Sequence, residues 1–272
     1  MHEENRKLNE LKSIILPLES AVVAYSGGVD SAFLLKTALD VLGPEQTLAV
    51  TAESPSYPVS ELESAKALAE KLGAEFVRIK TDELSRPEYF PNPENRCYFC
   101  KSELFSKLEE IRQERGFRHV IEGSNTDDKS DYRPGSKAAC EAGVKSPLQE
   151  AGLTKSEIRS LSKKAGLPTW DKPALACLAS RIPYGERITE EKLLRIDRSE
   201  SFLRAAGLRD VRVRHHGNIA RIEAGGGDMQ LLLEPEFRAK TARRLKQLGF
   251  SYVTVDIEGY RTGSMNEELQ KR

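Results

Sequence analysis

Short apolar strands alternate with amphipathic helical segments through the first half of this sequence, and that rhythm leaves few folds open. An amphipathic helix at about residues 4–15 ends at Pro17, and Ala21–Tyr25 reads as a short buried strand. Ser31–Val41 is a helix closed by Gly43-Pro44, Thr47–Ala52 a strand, Ser60–Leu72 a helix closed by Gly73, and Glu75–Lys80 a strand. A helix over about 96–115 stops at Gly116 and gives way to the strand His119–Glu122. Strands and helices in this order predict βαβ units, a parallel sheet and an α/β domain, with ligands at the carboxyl ends of the strands. Thr154-Lys155-Ser156-Glu157 opens a further helix as a capping box, in which Glu157 reaches back to the Thr154 amide. Past Pro183-Tyr184-Gly185 the pattern changes to a helix (189–206), two strands (209–215, 219–223), a helix (234–248) and a strand (251–256), a small α+β domain. The expected domains are therefore 1–187 and 188–272.

Immediately after the first strand stands Ser26-Gly27-Gly28-Val29-Asp30-Ser31. Two adjacent glycines let the backbone turn tightly and approach a ligand. The helix start behind them offers unpaired amides and a positive dipole end to an anion. Ser26 and Ser31 add hydroxyl donors. Asp30 would repel a bare phosphate, so its place here fits a carboxylate that holds Mg²⁺ or positions an amide. The competing reading is a plain strand-to-helix turn. The GxxxxGK[ST] loop of β–γ-cleaving NTPases is absent. In this context Ser-Gly-Gly-Val-Asp-Ser closely resembles the signature of the PP-loop ATP pyrophosphatases, among them GMP and NAD synthetases, tRNA thiolases and sulfur transferases. That resemblance implies adenylation of a substrate with release of pyrophosphate.

Further stretches narrow the branch. Asn95-Arg96-Cys97-Tyr98-Phe99-Cys100-Lys101, Asp131-Tyr132-Arg133-Pro134-Gly135, Cys177 through Gly185 (CLASRIPYG) and Val211-Arg212-Val213-Arg214-His215 together resemble the LarE family, from about residue 8 to the C-terminus. These are the sulfur transferases of nickel-pincer nucleotide cofactor synthesis, which serves lactate racemase. The resemblance implies pyridinium-3,5-biscarboxylic acid mononucleotide as the small-molecule substrate, each carboxylate being adenylated and then thiolated with loss of AMP. It places the ATP phosphates on Ser26, Gly27, Gly28, Asp30 and Ser31, the adenine beside Ala52 and Ser54, and Gly123 among the nucleotide contacts. Lys101 and Arg181 would bring positive charge to the pyrophosphate. Arg212 and Arg214 would bind the substrate phosphate: residues two apart on a strand share a face about 6.5–7 Å apart, with Val211 and Val213 turned to the core. Two solvated arginines are the alternative reading. Glu200 and Glu223 match carboxylates linked to metal, with a solvated surface as the rival. Asp127 and Asp128, after the strand His119–Glu122, are placed to meet ligand or Mg²⁺, or simply water. The family also implies trimers or hexamers.

The cysteines carry the question of the sulfur source. In one branch a single cysteine is sacrificed five positions before the arginine that corresponds to Arg181; here Ala176 fills that place and Cys177 lies four before it. Cys97 and Cys100 share a helix face at a helix start, where the thiolate is favoured. With Cys177 as third ligand, the set resembles that of family members carrying a [4Fe–4S] cluster, one iron left open to accept sulfide or another sulfur donor. Full protein ligation would use four cysteines. A persulfide or sacrificial thiol, or a structural zinc completed by Cys140, are the alternatives. Cys140 itself is expected as a small buried residue.

Composition sets the outer bounds. Of 272 residues 39% are hydrophobic and 31% charged, with 42 basic against 42 acidic side chains. A neutral chain lacks the basic field of most nucleic-acid binders, which weighs against the tRNA thiolase alternative. No apolar run reaches the ~18–20 residues of a membrane span, and the charged start Met1–Glu10 lacks signal-peptide character. The expectation is a cytoplasmic enzyme without a membrane partner. A non-enzymatic ATP sensor would keep the glycines but have no use for three cysteines. His215 and His216 are expected in a surface hairpin turn, and Trp170 either in the core or near the loop leading to Cys177.

Overall fold

The computed structural model describes residues 2–130, 134–173, 176–261 and 264. The chain forms two compact units: Met1–Glu83 with Asn95–Leu175, and Leu84–Glu94 with Ala176–Arg272.

In the first unit the chain runs α1 (His2–Ile15), β1 (Ala21–Ala24), α2 (Val29–Leu42), β2 (Thr47–Glu53), α3 (Val59–Lys71), β3 (Glu75–Lys80), α4 (Arg96–Glu114), β4 (His119–Glu122), α5 (Pro134–Glu141), α6 (Pro147–Glu150) and α7 (Lys155–Lys164). The four strands form an all-parallel sheet in the order β3-β2-β1-β4. β1 is central, and its sequence is accordingly apolar throughout, because both of its faces are covered. Ala21 and Val23 pack with Leu11, Ile15, Leu34 and Leu35 of α1 and α2, while Val22 joins Phe105 and Leu108 of α4 on the opposite face. That period of two splits the core between two helix layers. Because β1 pairs with β2 on one side and β4 on the other, the chain order reverses beside it, the position at which open parallel sheets hold ligands.

The capping box of α7 is present, with Thr154 Oγ1 accepting from the Glu157 amide at 3.3 Å and Glu157 Oε2 accepting from the Thr154 amide at 2.9 Å. Glu157 also pairs with Lys7 of α1 at 2.8 Å, so one carboxylate starts a helix and ties it to the N-terminal one.

The second unit runs α8 (Glu190–Ala205), β5 (Val211–His216), β6 (Ile219–Ala224), α9 (Gly226–Leu233), α10 (Pro235–Gln247) and β7 (Tyr252–Val255). β5 and β6 are antiparallel, and β7 joins β6 in parallel. α9 is an addition to the sequence reading, which places no element between the strand 219–223 and the helix 234–248. Burial of Leu232 against Leu208, Val211 and Phe250 is what makes this glycine-rich start helical. His215 also differs from expectation. It closes β5 buried against the Phe250 ring at 5.5 Å, not in a surface turn, and burial pushes its imidazole below the usual range. Residues 176–187 pack within this unit: Asn92 Nδ2 donates to the carbonyls of Ile182 and Pro183 at 3.0 and 2.7 Å. Among the described residues no helix is long and apolar enough to cross a membrane.

Leu34 is fully buried in the α1/α2 layer. Leu34→Ala is expected to lower unfolding free energy by about 2–5 kcal/mol, measured by denaturant titration.

Candidate active site

The loop between β1 and α2 is built around two glycines with different constraints. Gly27 has φ +64°, and a Cβ there would lie 2.7 Å from the Ala65 Cβ of α3. Only glycine satisfies both the left-handed backbone and the close approach. Gly28 caps α2 in extended conformation, so the helix begins directly behind the turn. Ser31 Oγ accepts from the Ser26 amide at 3.2 Å and lies 3.1 Å from Ser26 Oγ, which closes the loop on itself. Gly123, leaving β4, has no room for a side chain either: a Cβ would meet the Ser31 amide nitrogen at 3.0 Å. The exit of β4 therefore touches the first turn of α2.

Asp30 occupies that first turn. One carboxylate oxygen pairs with Lys155 of α7, and the other, Oδ1, is buried with no hydrogen-bond partner. Burial raises the Asp30 carboxyl above its usual range, and Lys155 opposes the shift. An orphaned carboxylate oxygen at a helix N-terminus is a fitting ligand for Mg²⁺ arriving with phosphate. Lys155 is a cation that the sequence reading passed over, because it sits inside a capping box and reads as a helix-surface residue. Its amide donates to Asp127 Oδ2 at 2.9 Å, while Asp128 Oδ2 accepts from the Asn125 amide at 3.0 Å. Both aspartates thus shape the loop after β4.

Around the rim, Ala52 lies on β2 and Ser54 follows its end; Ser54 Oγ is 2.8 Å from Ser56 Oγ, which donates to the fully buried Glu83 at 2.7 Å. Lys101 of α4 stands 3.6 Å from Glu122 at the end of β4. Cys97 and Cys100 lie on the first turn and a half of α4, exposed and half-buried respectively, as thiols rather than disulfides. A crossover helix runs back along the sheet, so this start of α4 belongs to the same carboxyl edge as the glycine turn. Cys140 is exposed, contrary to the expected burial, because it lies on the outer face of the short α5. Asp131, Tyr132 and Arg133 lie outside the described residues. Trp170 is half-buried, with Lys163 4.3 Å above its ring.

In the second unit Cys177 precedes a short helical turn, Leu178–Arg181. Arg181 is fully buried and donates to the carbonyls of Ala176 and Cys177 at 2.7 and 3.1 Å, so it fixes the backbone around the cysteine. Its guanidinium pairs with Glu200 through two bonds of 2.8 and 3.0 Å. Burial would raise the Glu200 carboxyl, but Arg181, Arg204 and the Val213 amide outweigh it and hold the group below its usual range. Glu223 is likewise engaged, by Arg214 at 2.7 Å and Arg221 at 3.2 Å. Where a metal role was expected for Glu200 and Glu223, the structure shows both carboxylates engaged by arginines. Among the described residues no three His, Cys, Asp or Glu side chains are gathered as a metal site. Arg212 and Arg214 are buried rather than solvated. Arg214 also donates to the Ser180 carbonyl at 2.9 Å, and Arg212 lies 4.8 Å over the Tyr260 ring. Burial, and then repulsion by Arg181, lowers the Arg212 guanidinium from its usual range.

Comparison with known proteins agrees with this picture. The family model for NAD synthase matches residues 9–89. An uncharacterized protein of Synechocystis is 47% identical, over 97% of this chain and 98% of its own. The pyridinium-3,5-bisthiocarboxylic acid mononucleotide synthase of Lactiplantibacillus plantarum is 40% identical, over 96% of this chain and 94% of its own. An uncharacterized protein of Methanocaldococcus jannaschii is 30% identical over 89% of this chain and 90% of its own. The NAD synthase match over the glycine turn, together with the near-full-length likeness to the Lactiplantibacillus synthase, makes this a PP-loop enzyme of the ATP pyrophosphatase class. Within that class the chain belongs to the LarE family, that of the pyridinium-3,5-bisthiocarboxylic acid mononucleotide synthases.

Two outcomes test this geometry. Gly27→Ala is expected to weaken ATP binding in calorimetry, with Ala65→Gly recovering part of the loss by removing the 2.7 Å clash. Glu200→Gln, which strands Arg181 in a buried site, is expected to cost about 3–5 kcal/mol in denaturant unfolding.

Proposed function

We propose that this enzyme uses ATP to adenylate the carboxylates of pyridinium-3,5-biscarboxylic acid mononucleotide and converts each to a thiocarboxylate. In the first step a carboxylate oxygen attacks the α-phosphorus of ATP, and pyrophosphate leaves. In the second, sulfide attacks the acyl carbon, and AMP departs with the carboxylate oxygen. The observation that carries this reading is the 40% identity to the Lactiplantibacillus synthase over nearly the whole of both chains. A shared PP-loop alone would not distinguish substrates.

The residues have consistent tasks in this reaction. The Gly27-Gly28 turn and the amides opening α2 cradle phosphate oxygens. Asp30 holds Mg²⁺ through its partnerless oxygen, and Lys155, now its ion-pair partner, supplies charge to the departing pyrophosphate. Lys101 adds a second cation at the sheet edge, and Ala52, Ser54 and Gly123 line the nucleotide. Arg212 and Arg214 recognise the phosphate of the mononucleotide. Cys97, Cys100 and Cys177 would hold a [4Fe–4S] cluster: thiolates are its normal donors, and Cys97 and Cys100 lie together at the start of one helix. Such a cluster supplies an open iron for an external sulfur donor.

Anaerobically purified protein given ATP, Mg²⁺, sulfide and the pyridinium biscarboxylate mononucleotide is expected to yield AMP, pyrophosphate and a product with sulfur in place of oxygen, read by mass spectrometry. Cys97→Ala, Cys100→Ala and Cys177→Ala should each retain pyrophosphate release yet lose the thiolated product and the visible absorption of the cluster. AMP release that requires tRNA instead would overturn the substrate while leaving the PP-loop chemistry in place.

A further inference from the structure

The glycine turn presents a problem that its own sequence does not solve. A peptide group is planar and trans, so the carbonyl of one residue and the amide of the next point in opposite directions. Where glycines flank it, no Cβ penalises rotation of the whole plane, and either face can be presented to a ligand. A cradle made of the Gly27 and Gly28 amides needs something outside the turn to choose the orientation.

Two side chains do so from behind. The Tyr57 hydroxyl donates to the Ser26 carbonyl at 2.5 Å, and Lys172 Nζ donates to the Gly27 carbonyl at 3.1 Å. These are successive carbonyls, and the peptide planes they belong to carry the Gly27 and Gly28 amides. Lys172 is itself aimed by Glu61 of α3, 2.5 Å away, with both side chains about four-fifths buried. Tyr57 belongs to the segment after β2, where its amide donates to the Ser54 carbonyl at 3.0 Å. Burial raises the Tyr57 phenol well above its usual range, which keeps it a donor. Gly27, at φ +64° and with no space for a Cβ beside Ala65, must stay glycine and so carries no side chain that could fix these planes itself.

We infer that Tyr57 and Lys172 are positioning residues: by holding the Ser26 and Gly27 carbonyls they turn the Gly27 and Gly28 amides outward and preorganise the phosphate cradle. The inference rests on the reading of this turn as the ATP phosphate site. It also means that the loop beside the expected adenine pocket and the loop for the phosphates are fixed to one another through a single tyrosine. Charge at Lys172 is used on a carbonyl and Glu61, not on the nucleotide.

The experiment compares ligands with and without phosphate. Calorimetry on wild-type protein, Tyr57→Phe, Lys172→Met and Lys172→Arg would use inorganic pyrophosphate, Mg·ATP and adenosine. Loss of one hydrogen bond predicts about three- to tenfold weaker pyrophosphate and ATP binding in Tyr57→Phe and Lys172→Met. Adenosine affinity should stay unchanged, and Lys172→Arg should restore most of the loss. Equal weakening for adenosine would mean the two residues merely hold the unit together and would overturn the inference, as would pyrophosphate affinity unchanged in both variants. Should Lys172→Met fail a thermal-melting check, Tyr57→Phe, which removes a single oxygen, decides alone. Wild-type protein that binds neither ATP nor pyrophosphate would instead sink the nucleotide reading beneath it.

Discussion

Between the end of β1 and the first turn of α2 the chain must reverse direction in the space left by Ala65 of α3. That close approach, 2.7 Å to a would-be Cβ on Gly27, leaves only a glycine turn possible here. It places the helix start, and hence the positive end of α2, at the edge of the central strand. Gly123 repeats the constraint from the other side, where β4 leaves the sheet against Ser31. The first unit is thus organised around a point where two strands and a helix end meet so closely that neither Gly27 nor Gly123 could carry a side chain. Backbone amides can line such a place beside the Ser31 and Asp30 side chains, and amides suit a polyphosphate.

Charge in this protein is balanced locally as well as globally. Equal numbers of acidic and basic residues describe the chain as a whole, but the second unit concentrates them in its interior. Arg181 and Glu200 form one buried pair, joined by the half-buried Arg204; Arg214 and Glu223 form another, joined by the half-buried Arg221. A buried ion pair gains little net stability over apolar packing, because desolvation offsets the attraction. What it provides is direction. Arg181 gathers the carbonyls of Ala176 and Cys177, and Arg214 reaches the Ser180 carbonyl, so the turn bearing the cysteine is held at both ends.

Much of the fold was readable from spacing, because a strand covered on both faces must be apolar throughout and a helix must repeat its apolar face. The four strands and their parallel sheet, the capping box of α7 and the αββ start of the second unit all follow from such local rules. α9 has no signal in the local spacing, and burial of Leu232 is what supports a helix with so glycine-rich a start. Cys140 and His215 were misjudged in opposite directions. A small residue on a short helix reads as core, and a histidine near a turn as surface, where burial depends on neighbours that sequence does not display.

The sequence by itself determined the class of chemistry: a glycine turn after the first strand, an acidic residue in the helix behind it, and three cysteines in family-like contexts. These are properties of adjacent residues, carried by short-range backbone and helix physics. Tertiary structure alone decided the partners. Lys155 lies 125 positions from Asp30 and Lys172 lies 145 from Gly27, yet each supplies the charge or donor that its partner lacks. Arginines likewise pair with Glu200 and Glu223, partners that the sequence does not indicate. Pairing of that kind depends on which elements the sheet and helices bring within hydrogen-bond distance, and no rule of local spacing contains it.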